Sequence, residues 1–318
     1  MSAHITGLHH VTVLASDAAH NLAFYAGILG LRLVKQTVNF DAPDVYHLYY
    51  GNEHGVPGTI LTFFPYKGLA RGRRGKGQAT VIALSISIHA IEYWLQRFQK
   101  FHVRHHAPYQ RFGGELVLAC EDSDGLALEL VANTQDTRSG YASGYIPADY
   151  AIKGLYGVTL CEEAYEHTAR LLVDTMNYQH TAEQDHRMRF SVSGTPGTFV
   201  DIVCSPDSLR GLNGSGTIHH LAFATANDHS QHQIREALLQ RGFNVTPILD
   251  RQYFHSIYFR EPGSILFEVA TSDIGFTVDE PVEQLGTALK LPPWYESKRS
   301  ALEQVLEPLE FRSEQFRD

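Results

Sequence analysis

Gly7-Leu8-His9-His10-Val11-Thr12-Val13 opens an alternating apolar run, and Thr217-Ile218-His219-His220-Leu221-Ala222-Phe223 repeats its doubled histidine more than two hundred residues later. A third run, Pro262-Gly263-Ser264-Ile265-Leu266-Phe267-Glu268, sets one carboxylate among apolar residues. Alternation of this kind reads as strand. Two imidazoles and one carboxylate held on strands form the ligand set of a mononuclear non-haem Fe(II) site, which leaves one face of the metal open.

Outward from these runs the chain repeats itself. Gly154-Leu155-Tyr156-Gly157-Val158-Thr159-Leu160 echoes the first run, and Thr80 to Ser85 fits the same slot. Each first strand precedes a helical pattern, over residues 16–29, 90–101, 163–178 and 228–241. Ser16 reads as the N-cap of the first and Gly30 as its stop. Each unit then closes with a Pro-Gly or Asp-Gly turn and an apolar strand. The unit is strand, helix, three strands, and it starts near residues 9, 79, 156 and 218. The fold class is therefore α+β: four βαβββ modules paired into two domains, each a curved mixed sheet with flanking helices. Domain boundaries are expected at 1–140 and 150–285, with a helical tail over 286–318.

Equivalent slots can be compared within the chain. The first-strand slots read His10, Val81, Gly157 and His220, and the last-strand slots read Phe63, Glu129, Ile202 and Glu268. A site shared by modules one and four would gather His10, His220 and Glu268. One shared by modules two and three would hold Glu129 alone, as a rim carboxylate or one bonded to a basic group. Side chains alternate along a strand, so one histidine of each pair is the ligand. A slip of one residue would exchange ligand and neighbour. A buried glutamate is costly unless something offsets its charge, and a metal does so.

Composition narrows the classes. The 318 residues favour two domains. Hydrophobic residues make up 43 % and charged residues 19 %, and the net charge is −9, which disfavours nucleic acid or an anionic membrane as partner. No apolar run reaches the length of a membrane span, and the first residues lack the pattern of a secretory signal. Cys120, Cys161 and Cys204 are too few and too scattered for a disulfide framework. A cytoplasmic protein is expected. The Gly-rich basic stretch 66–78 reads as a solvated linker.

Taken together, the opening His4-Ile5-Thr6-Gly7-Leu8-His9-His10, then Tyr46-His47-Leu48-Tyr49-Tyr50-Gly51, Pro57-Gly58-Thr59, Arg73-Arg74-Gly75, Gly216 to His220, Phe267-Glu268 and Leu291-Pro292-Pro293-Trp294-Tyr295 resemble the vicinal oxygen chelate superfamily. Within it the chain resembles ring-cleaving dioxygenases that include the hydroquinone 1,2-dioxygenases. The resemblance implies metal ligands at His10, His220 and Glu268. It implies further catalytic residues at His9, Thr12, His219, Tyr258 and Arg251, with Arg260 the local competitor of Arg251. It implies Fe(II), with Mn(II) also suited to the set. The expected partners are a small aromatic substrate, a hydroquinone or catechol, and O2. Exposed sheet edges suit a homodimer or higher homo-oligomer. A non-oxidative metalloenzyme such as a glyoxalase-like isomerase, or an aromatic-ligand-binding protein on the same scaffold, is the alternative.

Overall fold

The structure is a computed structural model and describes residues 5–317; His4, which opens the resemblance, lies outside them. Each module has one helix and four strands. Module one comprises β1 (Ile5–Ala15), α1 (Ala18–Leu22), β2 (Arg32–Asn39), β3 (Ala42–Gly51) and β4 (Ile60–Pro65). Module two comprises β5 (Gln78–Ser87), α2 (Ile91–Lys100), β6 (Tyr109–Arg111), β7 (Glu115–Glu121) and β8 (Ala127–Asn133). Module three comprises β9 (Gly154–Glu162), α3 (Glu166–Asp174), β10 (Gln179–Gln184), β11 (Arg187–Ser191) and β12 (Phe199–Cys204). Module four comprises β13 (Thr217–Thr225), α4 (Asp228–Gln240), β14 (Leu249–Asp250), β15 (His255–Arg260) and β16 (Leu266–Thr271).

The strands form two curled, mixed, eight-stranded sheets. One runs β14-β15-β16-β13-β1-β4-β3-β2 and the other β10-β11-β12-β9-β5-β8-β7-β6. Modules one and four thus share a sheet, as do two and three. Division of the chain at residues 140–150 does not separate the sheets, because the first strand of module one pairs with that of module four, antiparallel, and not with its sequence neighbour. The register sets His10 opposite Ala222 and Thr12 opposite His220. Val11 and Val13, on the other face of β1, are fully buried in the core. Strands covered on both faces must be apolar almost throughout, and that makes the two histidines of β1 conspicuous.

The first helix differs from its expected form. Asp17, not Ser16, is the cap, and its carboxylate accepts the His20 N–H at 2.7 Å. The α-helix ends at Leu22, and a π-helical stretch covers Ala23–Ile28. The tail also departs from a single helix over 298–309: its α-helix, α5, covers Arg299–Val305 alone. Residues 71–76 are not a free linker. Their backbone bridges to 210–215, with Arg71 paired to Ser215 and Arg73 to Leu212, while Arg71, Arg73 and Arg74 stay exposed.

Turn conformation corrects the slot comparison. Gly58, Gly125 and Gly197 have φ of 82°, 82° and 89°, and in module four the matching left-handed residue is Ser264, at 80°. Four residues on from each lie Thr62, Glu129, Asp201 and Glu268. Strand register agrees, since Thr62, Glu129, Asp201 and Glu268 oppose Thr12, Ala83, Thr159 and Ala222. The last-strand slots of modules one and three are therefore Thr62 and Asp201, not Phe63 and Ile202. Module four carries one more residue in its turn than alignment on Pro-Gly allows.

Candidate metal centre

His10 on β1, His220 on β13 and Glu268 on β16 converge inside the first sheet. Their ligand atoms lie within 4.8 Å of one another, and all three side chains are buried. His10 Nε2 is 3.4 Å from His220 Nε2. Glu268 Oε2 is 2.9 Å from His220 Nε2 and 3.4 Å from His10 Nε2. No other group of three such donors converges among the described residues.

The doubled histidines fix the tautomers. His9 Nε2 lies 3.1 Å from the Thr271 carbonyl oxygen, which can only accept, so His9 Nε2 carries the proton. His9 Nδ1 is then the acceptor for His10 Nδ1–H at 2.9 Å. That leaves His10 Nε2 as a bare lone pair facing Glu268. Burial, reinforced by His10, pushes His9 down to about 3, so it stays neutral. His220 Nδ1 meets His219 Nδ1 at 2.8 Å in the same arrangement. Burial lowers His219 to about 4 and lowers His220 as well. If His220 Nδ1–H donates as His10 Nδ1–H does, its Nε2 is a second bare lone pair, and His219 Nε2–H is left to donate.

Glu268 is held in turn. Ser256 donates to Oε1, and Oε2 has no hydrogen-bond donor. The short contacts of Oε2 with the two imidazoles are therefore not hydrogen bonds in this tautomer set. Three lone pairs face one another with no proton between them. A divalent cation satisfies that arrangement, and partners behind each ligand are what such sites use to orient it. The residues present fit the metal that the ligand set implies.

The ligands lie at a cavity of about 430 Å³. His10, His220, His219, Tyr258 and Arg251 line it, with Phe40, Phe64, Phe254 and Leu249 among its apolar walls. Arg251 Nε donates to the Tyr258 hydroxyl at 3.2 Å. Burial raises Tyr258, so its hydroxyl keeps its proton. Of the two arginines, Arg251 faces the cavity; Arg260 is exposed and donates to the Ser264 carbonyl. His9 and Thr12 are not on the cavity wall. Both ring nitrogens of His9 are engaged, so it orients His10 and offers no proton to the cavity. Thr12 Oγ1 is 2.8 Å from Thr62 Oγ1.

Reading the sequence missed His47 and Tyr49, which also line the cavity. Thr62 Oγ1 lies 2.8 Å from His47 Nε2, and the Tyr49 hydroxyl lies 2.8 Å from His47 Nδ1. Register explains their place: Tyr258 opposes Glu268 as Tyr49 opposes Thr62. His47 and Tyr49 thus repeat Ser256 and Tyr258 by the two-fold relation between modules. Their spacing of two residues on a strand that holds an otherwise apolar run was the available signal.

In the second sheet the equivalent slots keep both carboxylates but neither histidine. Glu129 accepts from Arg111 at 2.7 Å and Tyr109 at 2.9 Å. Asp201 accepts from Arg189 Nε at 2.7 Å and Nη2 at 2.9 Å. Guanidinium groups neutralise there what a metal would neutralise in the first sheet.

Fold and site together define a member of the vicinal oxygen chelate proteins. The model of the Glyoxalase/Bleomycin resistance protein/Dioxygenase superfamily matches residues 7–130, and the chain belongs to that superfamily. It is 42 % identical over 309 residues to the provisionally named ring-cleaving dioxygenase MhqO of Bacillus subtilis (strain 168), covering 96 % of this chain and 97 % of that one. It is 31 % identical over 308 residues to the chlorohydroquinone/hydroquinone 1,2-dioxygenase of Sphingobium indicum, covering 94 % and 95 %. A crystal structure of a provisionally assigned dioxygenase from Bacillus subtilis superposes with a TM-score of 0.94 at 41 % identity, over 98 % and 99 % of the two chains. A glyoxalase I mutant from Zea mays, at 12 % identity, TM-score 0.65 and coverage of 84 % and 92 %, shares the fold. With ring-cleaving dioxygenases as relatives over nearly its whole length, the chain is an enzyme. No helix among the described residues is long and apolar enough to cross a membrane.

Proposed function

We propose that the protein is an Fe(II)-dependent, extradiol-type ring-cleaving dioxygenase whose substrate is a hydroquinone bearing small substituents. The observation that carries this reading is the convergence of the ligand atoms of His10, His220 and Glu268 at a cavity walled by aromatic side chains. The hydroquinone assignment draws on the Sphingobium relative.

His10, His220 and Glu268 would hold the metal, with Mn(II) fitting the same set. When bound, the metal would supply Lewis acidity toward a substrate hydroxyl and a site for O2. Everything else is done by the chain. Phe40, Phe64 and Phe254 take the ring and exclude water. His219, with Nδ1 engaged by His220, directs its Nε2–H to an oxygen of the substrate. Tyr258, aligned by Arg251, offers a second proton to oxygen charge that develops during cleavage. His9 keeps His10 in the ligating tautomer throughout.

Oxygen uptake by anaerobically Fe(II)-loaded protein against a panel of hydroquinones and catechols tests the proposal. Uptake equal to the substrate consumed, greatest with a hydroquinone, is the expected result. No uptake with iron bound would overturn it, and preference for a catechol would overturn the substrate assignment.

A further inference from the structure

Asp41 and Arg251 reach the cavity mouth from opposite edges of the first sheet. Asp41 comes from the turn between β2 and β3, and Arg251 from the turn between β14 and β15. Arg251 Nη1 donates to Asp41 Oδ1 at 3.4 Å and Nη2 donates to Oδ2 at 3.1 Å. The guanidinium lies over the Tyr258 ring, 5.3 Å from its centroid. Arg251 is the only lysine or arginine on the cavity wall among the described residues. The cation that an anionic ring substituent would seek is thus already paired. A ring carboxylate would instead meet Asp41 at the mouth.

We infer that Asp41 is a specificity-determining residue: by neutralising Arg251 it makes the cavity select uncharged rings and reject carboxylated ones. The inference rests on the ring-cleaving reading. Contact energy is not the point, because an exposed ion pair adds little stability. What matters is the local potential. The Arg251 side chain is 18 % exposed, so its charge is felt in the cavity, whereas that of Asp41 is 75 % exposed. The turn does not depend on the Asp41 carboxylate. Asn39 Oδ1 accepts the Asp41 N–H at 3.0 Å, and Tyr295 donates to the Phe40 carbonyl at 2.9 Å.

Calorimetric titration of Zn(II)-loaded protein with methylhydroquinone and with 2,5-dihydroxybenzoate tests the inference without turnover. The parent should bind methylhydroquinone at least tenfold more tightly. Asp41→Asn should move the ratio of the two dissociation constants at least tenfold toward the carboxylated ring, and Asp41→Glu should restore the parent ratio. A ratio in Asp41→Asn within twofold of the parent overturns the inference, as does equal binding of both rings by the parent or binding of neither. Oxygen uptake by Fe(II)-loaded parent on methylhydroquinone reports separately on the ring-cleaving reading: uptake with an unmoved ratio would reject the role of Asp41 alone.

Discussion

His9 and His10 meet Nδ1 to Nδ1 at 2.9 Å, and the Thr271 carbonyl behind His9 decides which of them holds the proton. Adjacent strand residues ordinarily face opposite ways, but the β1 register shifts between Leu8 and His10, and this irregularity lets both rings reach the same region. The neighbour therefore acts as the ligand's orienting base. His9→Phe should keep the fold and weaken Mn(II) binding by about 10- to 100-fold, the usual cost of losing a partner behind a ligating histidine. Titration calorimetry on the two apo proteins checks this. Equal affinities would mean that the His10 tautomer is set some other way.

Glu162 and Glu261, neither of them on the cavity wall, form a pair of acids that departs from ordinary behaviour. Thr168 Oγ1 lies 2.8 Å from Glu162 Oε2 and 2.5 Å from Glu261 Oε2, all buried. One hydroxyl proton cannot serve two carboxylates. Burial and the proximity of Glu261 raise Glu162 to about 8, and burial raises Glu261. A raised folded-state value means that the folded chain binds protons more tightly than the unfolded one. The stabilisation is full below about 4.5 and is lost as pH rises through about 8. Thermal unfolding of the parent should weaken between pH 6 and pH 9. Glu162→Gln should remove most of that loss, worth roughly 2–4 kcal/mol at pH 9. An identical pH profile in the variant would refute the assignment.

Arg189 shows what the second sheet uses in place of a metal. It holds Asp201 through two nitrogens, bonds Glu115 as well, and lies over the rings of Phe112 and Phe199 at 4.2 and 4.6 Å. Arg189→Met would leave two largely buried carboxylates short of a partner. The expected loss is about 3–5 kcal/mol in urea unfolding, as for breaking other buried pairs. Mn(II) affinity at the first sheet should stay within twofold of the parent. A large fall there would show that the two sheets are coupled.

The modules and the triad were legible because their signals are local. Periodicity marks strands, Pro-Gly and Asp-Gly mark turns, and a glutamate in an apolar strand marks a charge that needs a partner. His47, Asp41 and Asp201 were hidden for different reasons. His47 sits in a run otherwise typical of a buried strand, and only its register against Thr62 brings it to the site. Asp41 lies in a turn that looks solvated, and its partner is 210 residues away. Asp201 was masked by the extra residue in the module-four turn, since alignment on Pro-Gly shifts the comparison by one position and one position reverses the face of a strand. The pairing of sheets across the chain was accessible only through ligand counting, because long-range strand pairing leaves no local trace.

Ser264 is the residue that carries this one-position offset. It has φ of 80° where the other three modules have glycine. A residue with a Cβ pays roughly 1–2 kcal/mol for the left-handed region, and glycine pays back part of that in unfolded-state entropy. The Ser264 N–H donates to the Glu261 carbonyl at 2.9 Å, and Arg260 donates to the Ser264 carbonyl at 2.8 Å. Both bonds use backbone atoms, so glycine can keep them. Ser264→Gly should therefore stabilise the chain, by about 0.5–1 kcal/mol in urea unfolding, with Mn(II) affinity unchanged. Deletion of Ser264 is the sharper case. It should bring Gly263 into the left-handed slot and restore the turn length of the other modules, leaving Glu268 four residues on with no loss of metal binding. Loss of binding on deletion, with the fold intact by circular dichroism, would show that the longer turn is needed to aim the carboxylate.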